Sequence, residues 1–377
     1  MALLGPSWLP AAILVFGLAL TVTTQIGMWP LGFVETRWVV ASLSGICLLS
    51  LLAPNGWFAA FLLTSALSIP VSLAALQSRK LKEIGAPTYG VIVLLQMGVW
   101  IAGLSLVTVS IRGWVEPFLA VLIACAVYTN VLGFLQVHCG IGLAHRVAYG
   151  PIGEPITEPV GVLHTVWRPA CINAMLIPVT CALALHRHPA ITGLYLIAIL
   201  TMVWQVSECR TTTALLGTVA GVGAWLFASH VHPLVYTVFF PLALVAYPSL
   251  RSGIVKDPRW EIWSLLWSRV QADHFIGRGM GAWSGAEVRG TVESERVWLW
   301  AHSEWLEALY DCGPLPVLIA LGFLADATWT VWQGVSTLQA GVFGGLIALA
   351  VVSAGYMPFR TWPLNLVGIG VLAAWLA

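Results

Sequence analysis

Charge is what this chain has least of. Asp, Glu, Lys and Arg make up 9% of its 377 residues, 17 basic and 16 acidic, for a net charge of +1. Soluble domains carry about a quarter, so a fully solvated surface is excluded. The near-neutral balance also excludes the basic face that a nucleic-acid partner requires. The seven cysteines lack CxxC or any other metal-ligand spacing, and most fall in apolar runs, where they read as small packing residues. No repeat or low-complexity tract is visible. The first residues show neither a positively charged n-region nor a small-residue cleavage site, so the run Trp8–Met28 is expected to be retained as a span.

What remains is apolar: 59% of the residues, a mean hydropathy of +0.89, and twenty Trp. This composition predicts an all-α polytopic membrane helix bundle. Cutting at polar and Pro/Gly-rich breaks yields about 12 segments near the length that crosses a hydrocarbon core. About nine precede residue 250: Trp8–Met28, Trp38–Ala53, Gly56–Gln77, Thr88–Ser110, Trp114–Val137, Gly161–Leu185, Ile191–Val206, Thr211–Ser229 and Leu234–Pro248. Leu315–Gln333, Leu338–Met357 and Trp362–Ala377 follow residue 313. Lipid cannot satisfy backbone N–H and C=O groups, so these spans should be helices; the short alternating segments of a barrel are absent. Along the chain the division is residues 1–250 as a transmembrane bundle, 251–312 as a long extracytoplasmic loop between the ninth and tenth spans, and 313–377 as three closing spans.

That loop holds sixteen of the 33 charged residues, between Arg251 and Asp311. From Trp260 onward, Trp260, Ile262, Trp263, Leu266, Trp267 and Val270 recur at helical spacing, with Glu261, Ser264, Ser268 and Gln271 opposite. The pattern fits either a helix lying in the membrane interface with its Trp side in lipid or a helix packed on the roof of the bundle. Next comes Gly277-Arg278-Gly279-Met280-Gly281. Glycines allow close backbone approach, so the run is a turn or a phosphate-facing set of N–H groups beside Arg278. A helix-like run then starts at His302, with Trp305, Leu306 and Leu309 on its face and Glu304, Glu307 and Asp311 opposite. A lone His is either a structural hydrogen-bonder or a catalyst, and the spacing leaves both open. Arg289 and Arg296, among Glu287, Glu293 and Glu295, read as solvated loop pairs.

The segment HSEWLEALYDCGPLP resembles the C-terminal signature of the O-antigen ligase and polymerase superfamily: a His usually followed by Asn, Leu at +4, Gln or Glu at +5, an acid at +9 and Gly at +11. Those positions are His302, Leu306, Glu307, Asp311 and Gly313 here, with Ser303 in place of Asn. Two upstream blocks are similar and in the family's order. PRWEIWSLLW with GRGMG puts the family arginine at Arg259, and VSECRTTTALLG puts another at Arg210. A looser echo, GVLHTVWRPACINA, contains Arg168. The resemblance covers about residues 161–322, and the first 150 residues match by topology alone.

The resemblance implies a membrane glycosyltransferase that passes a glycan from a polyprenyl diphosphate carrier to an acceptor hydroxyl on lipid A–core, another glycan or a protein. It implies no cofactor, no sugar nucleotide and, in the ligases, no metal. Its implied partners are the polyprenyl diphosphate-linked donor, the glycan or lipid A–core acceptor and membrane lipid. The implied place is the bacterial inner membrane with the active site facing the periplasm. His302 would be the general base, Arg210 and Arg259 the diphosphate ligands, and Arg278 and Arg168 further candidates. Alternatives are a polymerase of the same superfamily, a lipid-glycan transporter, or a scaffold without catalysis. Transport is disfavoured because charges in mid-span are nearly absent. With a cytoplasmic N-terminus, the short outer connections carry Arg37, Arg79, Lys80, Lys82, Arg146 and Arg360 and the inner ones only Arg112 and Arg187, which opposes the positive-inside tendency.

Overall fold

The computed structural model describes residues 53, 55–66, 86–140, 147–149, 155–157, 167–185, 189–209, 211–230, 259–272, 275, 277, 302–356, 358–360 and 364–377. Within them the chain forms eleven α-helices. They are α1 (Gly56–Ala66), α2 (Ala86–Ile111), α3 (Val115–Cys139), α4 (Trp167–Ala184), α5 (Pro189–Glu208), α6 (Thr212–Ala228), α7 (Arg259–Ala272), α8 (Glu304–Cys312), α9 (Pro314–Trp332), α10 (Thr337–Gly355) and α11 (Leu364–Leu376). Five helices are long and apolar enough to cross a membrane, namely α3, α4, α5, α9 and α10. The protein is therefore a helical membrane protein.

Several described helix ends fall close to the breaks read from sequence, because each break supplies a stop or start signal, whereas the end of Gly56–Gln77 and the start of Gly161–Leu185 lie outside the described residues. Asn55 accepts from the Trp57 and Phe58 amides and opens α1. Gly140 ends α3 in the left-handed region, and Ser336 with Gln339 forms a capping box at the start of α10. The segments Trp8–Met28 and Leu234–Pro248, and nearly all of Trp38–Ala53, lie outside the described residues. Among the described residues the chain also forms an antiparallel ribbon of β1 (Val147–Tyr149) and β2 (Pro155–Thr157). Its signal was present in sequence: the Gly-Pro and Gly pair between the two strands marks a turn.

The chain divides into two compact units, Met1–Val109 with Pro258–Ala325, and Ser110–Asp257 with Asp326–Ala377. In the second, α4 is the core. Fifteen of its side chains are buried, and it packs against α3, α5, α6, α10 and α11. Small residues permit this crowding. A Cβ on Gly344 would lie 2.6 Å from the Gly221 carbonyl oxygen and 2.7 Å from Pro178 Cβ, so α4, α6 and α10 meet nearly backbone to backbone. Asn130 of α3 and Asn173 of α4, both buried, exchange amide hydrogen bonds of 3.2 and 2.9 Å. By contrast α5 exposes Leu194, Leu196, Ile197 and Leu200, as a helix at the lipid boundary should.

In the first unit, α1 lies against α9. Phe58 meets Phe323 edge-on with centroids 5.3 Å apart, and a Cβ on Gly322 would sit 2.6 Å from the Trp57 ring. The same unit contains α7 and α8, which pack on each other.

Candidate functional site

The loop helices carry the chemistry-bearing residues of the first unit. Ile262, Leu266 and Val270 of α7 form a buried cluster with Tyr310 of α8, flanked by Leu265, Leu306 and Leu309. These residues recur every fourth position on α7 and define one face. Trp260 and Trp267, which share the apolar stripe in sequence, are instead 49% and 44% exposed. The single stripe is thus two faces, one turned to α8 and one turned outward. Arg259 opens α7 with its guanidinium 5.7 Å from the centre of the Trp263 ring, within the range of a cation–π contact.

His302 does not begin the helix, which corrects the shared face with Trp305, Leu306 and Leu309. The helix begins at Glu304, and Ser303 is its N-cap, accepting from the Leu306 amide at 3.2 Å. His302 precedes the cap with φ 53°, a left-handed backbone that costs a non-glycine residue about 1–2 kcal/mol. Its imidazole is therefore carried by the turn into α8 and sits half-buried. The signal was legible: Ser followed by Glu304 and Glu307 is a helix-start pattern.

Glu307 and Asp311 are both 1% exposed, so the acidic face of α8 is interior and not solvated. Buried carboxylates are tolerated only where charge or hydrogen bonding compensates their lost hydration, which makes this a built polar interior. At the end of α8, Gly313 has φ 79°. A Cβ on Gly277 would lie 2.5 Å from the Cys312 carbonyl carbon and from the Gly313 nitrogen. The first glycine of the Gly-rich run is thus pressed against the C-terminal turn of α8, the helix that follows His302, at a distance that only glycine permits. Arg278, the next residue, lies outside the described residues.

The other predicted residues belong to the second unit. Arg168 lies in the first turn of α4 with its guanidinium 5.5 Å from the Trp167 ring centre, and Trp167 stacks on Tyr356 at 4.9 Å and 5°. Gly355 touches the Thr213 side chain. The N-terminal ends of α4 and α6 and the C-terminal end of α10 therefore gather at one end of this unit. Two positive helix ends there suit an anion, and the negative end of α10 also suits Arg168 as a purely structural cation. Arg210 lies outside the described residues; it is flanked by Cys209 and by Thr211, the N-cap of α6, whose hydroxyl donates to the Cys209 carbonyl at 3.1 Å and makes no capping bond. Among the described residues no three His, Cys, Asp or Glu side chains converge in a way that could hold a metal ion.

The structure thus gathers Arg259, Gly277 and His302 on or beside one helix pair, and puts Arg168 in the other unit. No family model and no curated protein matches the chain.

Proposed function

We propose that this protein is a membrane glycosyltransferase of the O-antigen ligase type, moving a glycan from a polyprenyl diphosphate carrier to an acceptor hydroxyl such as one on lipid A–core. One observation carries the reading. The sequence blocks that resemble the superfamily, around Arg259, Gly277 and His302–Gly313, are separated by tens of residues and yet belong to a single packed helix pair. The reading includes about 12 spans, a periplasmic loop holding α7 and α8, and a bacterial inner-membrane location.

In this reaction the acceptor oxygen attacks the anomeric carbon and forms the new glycosidic bond. The bond from that carbon to the diphosphate oxygen breaks, and the lipid diphosphate leaves as an anion. The acceptor proton passes to His302, whose imidazole suits a base working near neutral pH. Arg259 is assigned to the departing diphosphate, since a guanidinium presents a permanent charge and a planar fork of donors, and the sequence resemblance alone adds Arg210 as a second candidate. Arg278 and Arg168 are further candidates from the same sequence resemblance.

Glycan analysis of a strain lacking the gene tests the proposal. Loss of all surface polymer is the outcome expected of a ligase. Single repeat units left on the core would transfer the reading to a polymerase, and an unchanged glycan profile would exclude both.

A further inference from the structure

The outward face of α7 has no assigned role. Trp260, Ser264, Trp267 and Gln271 recur on it at +4, +7 and +11, which puts all four within about 60° of arc, and Ser268 borders the same sector. All five are exposed. Trp260 and Trp267 keep 49% and 44% of their surface open, although each is held by a second ring. Trp260 meets Trp263 edge-on with centroids 5.0 Å apart, and Trp267 meets Phe275 edge-on at 5.9 Å. The Ser264 and Ser268 hydroxyls donate to the Glu261 and Leu265 carbonyls at 2.8 Å, which leaves their oxygens with lone pairs to accept further bonds.

We infer that this stripe is a binding platform for an uncharged carbohydrate chain. Its composition excludes the other occupants. A lipid-facing or apolar docking face would not set Ser264, Ser268 and Gln271 between and beside its two Trp residues, because an exposed amide and two hydroxyl oxygens would lose their hydration there. A phosphate-rich ligand needs cations, and none of the five side chains is one. A carbohydrate suits both kinds of group: its pyranose C–H faces stack on indole rings, its hydroxyls donate to the Ser oxygens, and the Gln271 amide both donates and accepts. The two Trp residues lie about 10 Å apart along the axis, a span that a short oligosaccharide bridges. Their edge-on supports fix the ring planes before the ligand arrives, which lowers the ordering cost of binding. The platform also adjoins the His302 turn. The Phe275 carbonyl oxygen would lie 3.2 Å from a Cβ on Gly313, so the Trp267 end of the stripe meets the C-terminal end of α8. The turn lies at the other end of that nine-residue helix, about 13 Å away. A glycan seated there is the chain being transferred or extended, a placement that rests on the glycosyltransferase reading, whereas the binding itself does not.

The test titrates the full chain in detergent with short oligosaccharides cut by mild acid from the surface polysaccharide of wild-type cells, with binding read by calorimetry. Saturable binding is expected. W260A and W267A should each weaken it about 3–10-fold at an unchanged melting temperature, whereas W260F and W267F, which keep a ring, should lose less. S264L turns the middle of the stripe apolar: a carbohydrate should bind several-fold more weakly, and equal or tighter binding would overturn the inference. So would the absence of saturable binding by the wild-type chain, or an affinity that both alanine variants leave unchanged. Should an alanine variant fail to fold, the S264L comparison decides alone, since position 264 is exposed and its substitution leaves both rings in place. No turnover is measured, so the two readings fail separately. Absent binding by a chain that still governs the surface glycan removes the platform and keeps the enzyme, while binding that persists beside an unaltered glycan profile in the deletion strain removes the enzyme and keeps the platform.

Discussion

At the scale of a single residue, His302 combines a proton-accepting side chain with a backbone that resists it. A left-handed φ is natural for glycine and strained for anything else, and such strain tends to persist where the side chain is needed. The comparison of His302→Gly with His302→Ala separates the two contributions. Both lack the imidazole and should abolish glycan transfer. The glycine variant should nevertheless be more stable than the alanine variant by about 1 kcal/mol, read as a higher melting temperature in detergent. Normal long-chain glycan from either variant would remove His302 from catalysis. The histidine was conspicuous in the sequence, but its conformation was not: residue type reveals what a side chain can do, while φ depends on how the chain enters α8.

The glycine contact between the loop and the end of α8 belongs to the element scale. Gly277 is opposed by main-chain atoms of Cys312 and Gly313, which cannot rotate away as a flexible side chain would. Gly277→Ala should therefore push the Gly-rich run off α8, at a cost of about 1–3 kcal/mol, and should reduce transfer even though the substitution adds no charge. A variant with undiminished melting temperature and activity would show that the contact is dispensable. At this scale the membrane-length helices were readable from hydropathy alone, since an uninterrupted apolar run has few other outcomes. The faces of α7 were not readable. Ile262 and Trp260 look alike to a periodicity argument, and only the position of α8 distinguishes the one that is covered. The interior position of Glu307 and Asp311 was hidden for the same reason, because carboxylates on a loop helix are solvated in most proteins.

For the whole molecule, the orientation in the membrane decides whether the helix pair can meet an exported donor. Cysteines introduced at Arg79 and Glu293 and challenged with an impermeant reagent from outside the cell should both be labelled if the loop is periplasmic and the basic connections are outer ones. Protection of residue 293 would turn the loop inward and sink the ligase reading. The division of the chain also bears on how the protein is made. Helix α1 closes at Ala66, yet the α9 residues that cover Trp57 and Phe58 are Gly322 and Phe323, roughly 250 residues later, or about 10–50 s at ribosomal speed. During that interval the α1 aromatics must wait in lipid or against a temporary neighbour. The order of synthesis thus makes assembly of the first unit, and with it the seat of His302, one of the last events in the birth of the protein.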